Sequence, residues 1–321
     1  MGIESFRRSG TQRSSEPEFE WFGDQLEPTL LLRQRLSYRL EMIASLRRHL
    51  GEGVPSLAAV NSDLRADDDA LNPFHVSHLV GHSIGMALDA LGALELVLRD
   101  PSGSLRLPLF GVYPVARQAL EASAVGLWVI GPANPAVRRT RALRVQVQEA
   151  REEASLIAEF LKDRPKDRPE QRKYKARQRQ AHATRNERID RLLHVAKESH
   201  LNVKEVTSGV QRMRAVLDEV DELHPTPEAS LRAVWQYLSG LAHPSQLRAI
   251  QASDLELSET SEPGISHARM TAKEEMVLLS LDVALTLIGN LLDVSAARAL
   301  NPSIRWPRAD LGLPPGWRVK E

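Results

Sequence analysis

Apolar residues recur at every third or fourth position through most of this chain, and this spacing constrains the fold more than any other feature. The segment "LLLRQRLSYRLEMIASLRRHL" at residues 30–50 shows it clearly, since Leu, Met and Ile repeat with the period of an α-helix. Similar spacing returns along the chain, and we predict helices at 28–50, 74–99, 108–130, 135–163, 168–199, 207–223, 227–243 and 272–299. The predicted fold class is all-α, a multi-helix bundle.

Composition narrows the chemistry that such a bundle can carry. Hydrophobic residues make up 42% of the chain and aromatic residues only 5%, so Leu, Val, Ile and Ala must fill the core. The chain has no cysteine, which excludes thiol catalysis, disulfides, iron–sulfur clusters and cysteine zinc sites. Its formal net charge is zero, which argues against a protein whose whole surface holds nucleic acid. We expect neither a cofactor nor a bound metal.

Capping residues suggest where several helices begin. Three dipeptides place a capping side chain before a proline that the first helical position tolerates: Asn72-Pro73, Asn134-Pro135 and Thr226-Pro227. Thr271 and Glu274 have the spacing of a capping box for the last long helix.

The distribution of polar and apolar residues along the chain predicts one domain with a polar segment at each end. We expect a disordered tail at 1–23, a single helical domain at 24–300 and a second tail at 301–321. Weak alternation of apolar and polar residues at 250–270 predicts one small β-hairpin.

No secretory signal opens the chain, and the apolar run at 276–292 is short and interrupted by polar residues. We interpret that run as a core helix of a cytoplasmic protein without a membrane span.

The helix pair 135–199 is predicted to form a long basic two-helix arm that projects from the bundle. Between residues 161 and 191 there are twelve Lys and Arg against five Asp and Glu, and apolar side chains almost vanish from 164 to 188. A helix that is polar all round cannot be held by a core. The expected packing residues at the arm's root are Val145, Leu156, Ile157, Phe160, Leu192 and Leu193.

The arm's cations suggest RNA or an acidic partner, because phosphate contacts from Lys and Arg need no sequence motif. The nucleic-acid-binding candidates are Arg172, Lys173, Lys175, Arg177, Arg179 and Arg185. The alternative interpretation is a solvated, salt-bridged helix pair that serves as a dimerisation element, and we expect a homodimer.

Three histidines stand close together in "NPFHVSHLVGH". On a helix, His75, His78 and His82 would share an arc of roughly 60°, with the first and last separated by about 10 Å along the axis. That separation is too long for one shared zinc ion with Zn–N bonds near 2 Å. The simplest interpretation is that the three histidines line a polar strip and form hydrogen bonds to neighbouring residues. His78 and His82 are also ligand-binding candidates.

Arg117 and Glu121 form a charged pair one turn apart in an otherwise apolar helix that also contains Trp128. A charge inside an apolar helix must be satisfied by a partner. The pair is either a buried link between helices or a catalytic and anion-binding element.

The segment "RAVWQYLSGLAHPSQLR" places Arg232, Trp235, Ser239 and His243 on one helix face. Ser239 and His243 are spaced one turn apart and are candidate catalytic residues with Arg117 and Glu121. Further ligand-binding candidates are Trp128, Arg232 and Tyr237.

The order of a histidine-bearing helix, "RQALE", "RRTRALR", "YLSGLAHP" and a long apolar C-terminal helix resembles uncharacterised helical proteins of bacteria. These are in turn similar to HEPN bundles, which include abortive-infection and toxin ribonucleases. The resemblance covers roughly residues 74–299. HEPN ribonucleases use an Arg followed by four to six residues and a His. No Arg occupies that window before His243, whereas Arg177–His182 and Arg188–His194 fit the spacing inside the arm.

Three functions follow as hypotheses. The resemblance implies a noncatalytic HEPN-like module of stress or phage defence that touches nucleic acid through the arm. The alternatives are a metal-independent ribonuclease that uses His243 with Arg117 and Glu121, and a small-ligand sensor that uses a polar pocket within the bundle.

Overall fold

The structure is a computed structural model, and it describes residues 19–21, 28–51, 53, 55–161, 168–226, 229–243, 245–259, 266–307 and 317–319. Eleven helices lie within these ranges: α1 (Pro28–Leu50), α2 (Asp63–Leu71), α3 (Val76–Leu98), α4 (Val112–Ile130), α5 (Pro135–Phe160), α6 (Arg168–Glu198), α7 (Val203–Thr207), α8 (Met213–Leu223), α9 (Leu231–Leu241), α10 (Gln246–Gln251) and α11 (Glu274–Ala299). The predicted all-α bundle is confirmed.

Four short strands accompany the helices: β1 (Phe19–Trp21), β2 (Ser253–Glu259), β3 (Ser266–Ala272) and β4 (Trp317–Val319). The antiparallel pair of β2 and β3 is the small hairpin that the sequence predicts. Strands β1 and β4 form a second antiparallel pair, which joins short stretches of the two segments predicted as tails. The other residues of those tails lie mostly outside the described ranges.

The core is built around α4 and α11, whose side chains are buried on nearly every side. Their closest approach is at Gly126, where an added Cβ would lie 2.8 Å from a methyl carbon of Leu291. Only a residue without a side chain permits this contact, because a real Cβ essentially never comes that near. Helix α3 packs along α4 on the side where Ser83 also faces Gly126.

Two helices, α3 and α11, are long and apolar enough to cross a membrane by length and composition alone. In α11, 78% of the most apolar window is buried inside the bundle, compared with 44% in α3. The interpretation of 276–292 as a buried core helix therefore agrees with its packing.

Local capping predictions succeed at one helix and fail at three. The side chain of Asn134 caps α5 by accepting a hydrogen bond from the backbone N–H of Ala136, as predicted. Asn72 instead ends α2, and α3 begins after His75. Thr226 precedes α9 by several residues and donates its hydroxyl hydrogen to the carbonyl of Ala229.

The predicted capping box of α11 is wrong because strand pairing places Thr271 opposite Asp254 in the hairpin. Lys273 occupies the N-cap position and makes no side-chain capping bond. Glu274 points elsewhere and accepts a hydrogen bond from Arg33 at 2.7 Å.

The root of the arm is fixed by a buried cluster of charges. Asp67 of α2 is fully buried and accepts hydrogen bonds from Arg138 at 2.7 Å and Arg139 at 2.8 Å, both on α5. Further along, the Arg144 guanidinium donates to the carbonyl of Gly209 at 2.6 Å. These bonds hold the first turns of α5 against the bundle while its far end continues beside α6.

Of the residues expected to pack at the arm's root, Val145 and Leu192 are buried. Leu156 and Phe160, by contrast, are 57% and 80% exposed. Expecting these two in the root packing was wrong, because they lie beyond the part of α5 that the bundle covers.

Candidate functional site

The structure brings the predicted site residues together only in part, because they fall into separate regions of the bundle and the arm. One region joins α4 to α9, a second lies at the start of α3, and a third runs along α6. Within the described part of the chain, no hydrogen bond or ion pair links one of these regions to another.

In the first region, Glu121 is a junction between α4 and α9. Its Oε1 atom accepts a hydrogen bond from Arg117 Nε at 2.8 Å and from the indole nitrogen of Trp235 at 2.5 Å. The guanidinium carbon of Arg117 also lies 5.3 Å from the centre of the Trp235 ring. Both charged side chains are roughly three-quarters covered. This geometry matches the buried link between helices that the sequence left open as one alternative.

Ser239 and His243 are not assembled as a nucleophile and base. Helix α9 ends at Leu241, so His243 lies beyond it on the exposed surface. The Ser239 hydroxyl instead donates to the carbonyl of Trp235 at 2.7 Å, one turn earlier in its own helix. The one-turn spacing therefore does not produce the contact that it suggested.

The predicted ligand-binding residues of the same region have structural partners. Trp128 is fully buried, and its indole nitrogen donates to Glu219 at 3.0 Å while Arg141 lies 4.8 Å over its ring. Arg232 forms an exposed ion pair with Asp218 at 3.3 Å.

Tyr237 contacts the ring of Tyr113 edge-on, with ring centres 5.6 Å apart. Burial raises the pKa of the Tyr113 hydroxyl above its ordinary value, and the neighbouring Tyr237 raises it further. Burial likewise raises the pKa of Tyr237. Both phenols therefore remain neutral at physiological pH.

In the second region, His75 and His78 line a cleft of about 260 Å³ at the start of α3. Their ring centres lie 4.7 Å apart, and Arg65 and Asp69 of α2, which also line the cleft, pair with each other at 2.9 Å. Asp68 lies beneath them and is engaged by the backbone N–H and the hydroxyl of Ser77. Among the residues that the structure describes, no cluster of three or more His, Asp or Glu could hold a metal ion.

His82 is exposed and is directed toward the arm. It interacts electrostatically with Glu149 of α5, a carboxylate that also pairs with Arg188 at 3.6 Å. The three histidines therefore do not line one internal pocket with Glu121.

The third region is the outer face of α6. Exposed cations occupy positions 172, 175 and 179, and His182 continues the row. At about 100° per residue these positions share an arc of roughly 80°. The residues that face α5 across the arm, at 177, 181, 184 and 188, lie on nearly the opposite side of the helix. The basic row, defined here as Arg172, Lys175, Arg179 and His182, therefore points away from α5.

Some cations of α6 form ion pairs and others do not. Near the bundle, Arg188 contacts Glu149 and Glu153, and His194 pairs with Glu198. In the basic row, none of the three cations forms an ion pair with any carboxylate of the described ranges. Lys173, beside the row, is already paired with Glu170 at 2.8 Å.

The other two predicted nucleic-acid contacts, Arg177 and Arg185, line the groove between α5 and α6. Tyr174, the one aromatic side chain of α6, is buried. The row of residues that points outward is therefore cationic and contains no Phe, Tyr or Trp.

Comparison with protein-family models, with curated proteins and with solved structures finds no significant match for this chain.

Proposed function

We propose that this protein binds nucleic acid, RNA in particular, through phosphate contacts made by the basic row of α6. The observation that carries the proposal is the row's unpaired charge. Arg172, Lys175 and Arg179 are exposed on one face without a carboxylate partner among the described residues, whereas Arg188, nearer the bundle, is paired with Glu149 and Glu153.

The charge is concentrated enough to attract a polyanion. From 168 to 188, α6 carries eight Lys and Arg against two Glu, within a protein of zero net charge. The three cations of the row lie within about 10 Å along the helix axis, since each residue adds about 1.5 Å. Neutralising phosphates with such a row releases condensed counterions, and this favours binding without reading the base sequence.

The row also lies beyond the part of the arm that the bundle holds. α5 is attached as far as Arg151, which donates to the carbonyl of Thr207 at 2.7 Å, and Arg188 of α6 lies at that level, where it pairs with Glu149 and Glu153. A row on the outer face of α6 can approach a long polyanion without collision between the polyanion and the bundle.

The test is fluorescence anisotropy with a labelled RNA duplex, a single-stranded RNA and a DNA duplex at several salt concentrations. In the triple variant Arg172→Gln, Lys175→Gln, Arg179→Gln, we expect a large loss of affinity for RNA. The slope of log K against log salt should fall by about 2 to 3, because each lost phosphate contact removes about 0.7 to 0.9.

A matched control distinguishes the effect of losing the row from the effect of lowering the total positive charge. The triple variant Arg65→Gln, Arg232→Gln, Arg269→Gln removes the same charge from exposed side chains that already have carboxylate partners. It should bind like the unmodified protein. Equal weakening by both triple variants, or no salt-dependent binding to any of the three nucleic acids, contradicts the proposal.

A further inference from the structure

His182 is the fourth member of the basic row, and it differs from the other three in carrying a charge that depends on pH. Its imidazole is exposed, and within the described ranges it forms no hydrogen bond or ion pair. Position 182 lies about 4.5 Å along the axis from Arg179, which is also the step from Arg172 to Lys175. His182 therefore occupies the place of a further phosphate contact in a row that otherwise holds Lys and Arg.

The surface of α6 around His182 offers no carboxylate to a protonated imidazole. Residues three and four positions away are the neighbours on a helix surface, and here they are Gln178, Arg179, Arg185 and Asn186. His194, on the same helix, has a different environment, because Glu198 lies one turn further on and pairs with it at 3.1 Å. A positive charge at position 182 thus has no partner on α6, whereas a positive charge at position 194 has one.

The helices that pack against α6 do not supply a partner for His182 either. α5 contacts the side of α6 that carries Arg188, and its Glu149 and Glu153 are engaged there. On a helical wheel, position 182 lies about 130° from the centre of that side.

α7 carries Lys204 and Glu205, and it meets the arm at Arg151 of α5. Glu205 accepts a hydrogen bond from Asn202 at 3.1 Å. Among the described residues, no charged group of α5 or α7 pairs with His182. The imidazole therefore faces solvent, where the phosphate of a bound RNA can reach it.

Histidine is the side chain that ordinarily gains its positive charge between about pH 8 and about pH 5. We propose that His182 makes RNA binding by the row dependent on pH, because its protonated imidazole adds a fourth phosphate contact and strengthens binding in mild acid. This regulation acts on the contacts of the row and therefore rests on the proposed function.

The expected size of the effect follows from counterion release. Each phosphate contact with a single strand adds about 0.7 to the slope of log K against log salt. If a contact contributes nothing at about 1 M salt, a fourth contact raises the affinity about fivefold at about 0.1 M salt. By linkage, bound RNA favours the protonated imidazole by the same factor, so that RNA binding is accompanied by proton uptake.

The first experiment measures the affinity of the full chain for a labelled oligouridine, whose bases do not titrate in this pH range. Fluorescence anisotropy at about 0.1 M salt should show an affinity about fivefold higher at about pH 5.5 than at about pH 8. His182→Gln should lose this rise, and His182→Lys should bind tightly at both pH values. His194→Gln is the matched control and should keep the full rise, because His194 already has a carboxylate partner.

The outcomes distinguish this inference from the proposed function. A rise in His182→Gln equal to that of the unmodified protein, or no rise in either, overturns the role of His182 and leaves RNA binding by the row standing. No binding of the oligouridine at either pH overturns both.

The second experiment follows the imidazole itself by NMR. The carbon-bound ring protons of His182 are identified by the signals that His182→Gln removes from the spectrum. Saturating oligouridine should raise the midpoint of their titration by about 0.7 on the pH scale, which is the logarithm of the fivefold change. The ring protons of His194 should titrate at the same pH with and without RNA. An unchanged midpoint for His182 overturns the phosphate contact.

Discussion

The carboxylate of Asp67 and the guanidinium of Arg138 are both almost completely buried, and their closest atoms lie 2.7 Å apart. Arg138 also donates to the carbonyl of Ala133 at 2.8 Å, so the same guanidinium binds the turn that precedes α5. This pair joins α2 to α5 across 71 residues of sequence and sets the direction in which the arm leaves the bundle.

Asp67→Asn should destabilise the protein strongly. The substitution leaves the buried charge of Arg138 without its counterion, and breaking a buried pair in this way costs about 3 to 5 kcal/mol. Urea unfolding followed by circular dichroism measures the loss. Asp69→Asn is the control, because Asp69 forms an exposed pair with Arg65 and should lose at most about 1 kcal/mol. Similar losses of stability in the two variants would show that burial does not determine how much the Asp67–Arg138 pair contributes.

Gly126→Ala should also be destabilising, by about 1 to 3 kcal/mol. The added Cβ would lie 2.8 Å and 2.9 Å from the two methyl carbons of the fully buried Leu291. Gly85→Ala is the matched control on α3, where nothing lies within 4 Å of the new atom. That change should be neutral or stabilising by up to about 1 kcal/mol. A double variant with Leu291→Ala should show coupling, since the second change removes the clash.

Substitutions of Glu121 should separate its two hydrogen bonds. Glu121→Gln keeps an acceptor for Trp235 and loses the charge opposite Arg117, so we expect a loss of at most about 1 kcal/mol. Glu121→Leu removes the acceptor of both hydrogen bonds and should lose about 1 to 3 kcal/mol more. Chemical denaturation followed by tryptophan fluorescence reports both effects. Equal stability of the two variants would mean that the acceptor kept by Gln contributes nothing.

His224 should make the protein less stable in mild acid. Burial lowers the pKa of this imidazole below its ordinary value, and its Nε2 atom lies beside Gly131 at the end of α4. The unfolded chain therefore binds the proton at a higher pH than the folded chain, so stability falls as pH drops through the unfolded value near 6.5. Thermal melts from about pH 8 to pH 5 should show a smaller decrease in Tm for His224→Gln. An unchanged pH profile in that variant would exclude His224 as a cause.

Features set by neighbouring residues could be predicted from the sequence. The cap at Asn134 depends on two adjacent positions, and α11 is identified by an apolar run that only a core can cover. The hairpin follows from local alternation. In each case the physical signal lies within one continuous segment of the chain, so no knowledge of distant contacts is needed.

Contacts between distant segments account for most of what was missed. Thr271 has the right spacing for a capping box, but pairing with Asp254 draws it into a strand. Nothing in the sequence shows that Asp67 would meet Arg138, because each lies in a charged segment with several potential partners. The histidines illustrate the same limit: His75 precedes α3 rather than lying on it, and only His78 shares its cleft, while His82 interacts with Glu149 of α5.

The groove between α5 and α6 could be predicted from the sequence only in part. The four-three-four spacing of Ala150, Ala154, Ile157 and Leu161 is visible in the sequence, and it continues at 177, 181, 184 and 188. Because four of these eight residues are small and two are arginines, they give only a weak apolar signal. Only the packing of α5 against α6 brings these residues together to line a groove.

The attachment of α5 to the bundle extends as far as Arg151, which donates to the carbonyl of Thr207 at 2.7 Å. Only the last nine residues of α5, about 14 Å, continue beyond that contact, so a rotation of about 5° there would move the end of the helix by about 1 Å. The bundle therefore braces the arm over most of its length, and the tip keeps a nearly constant distance from it.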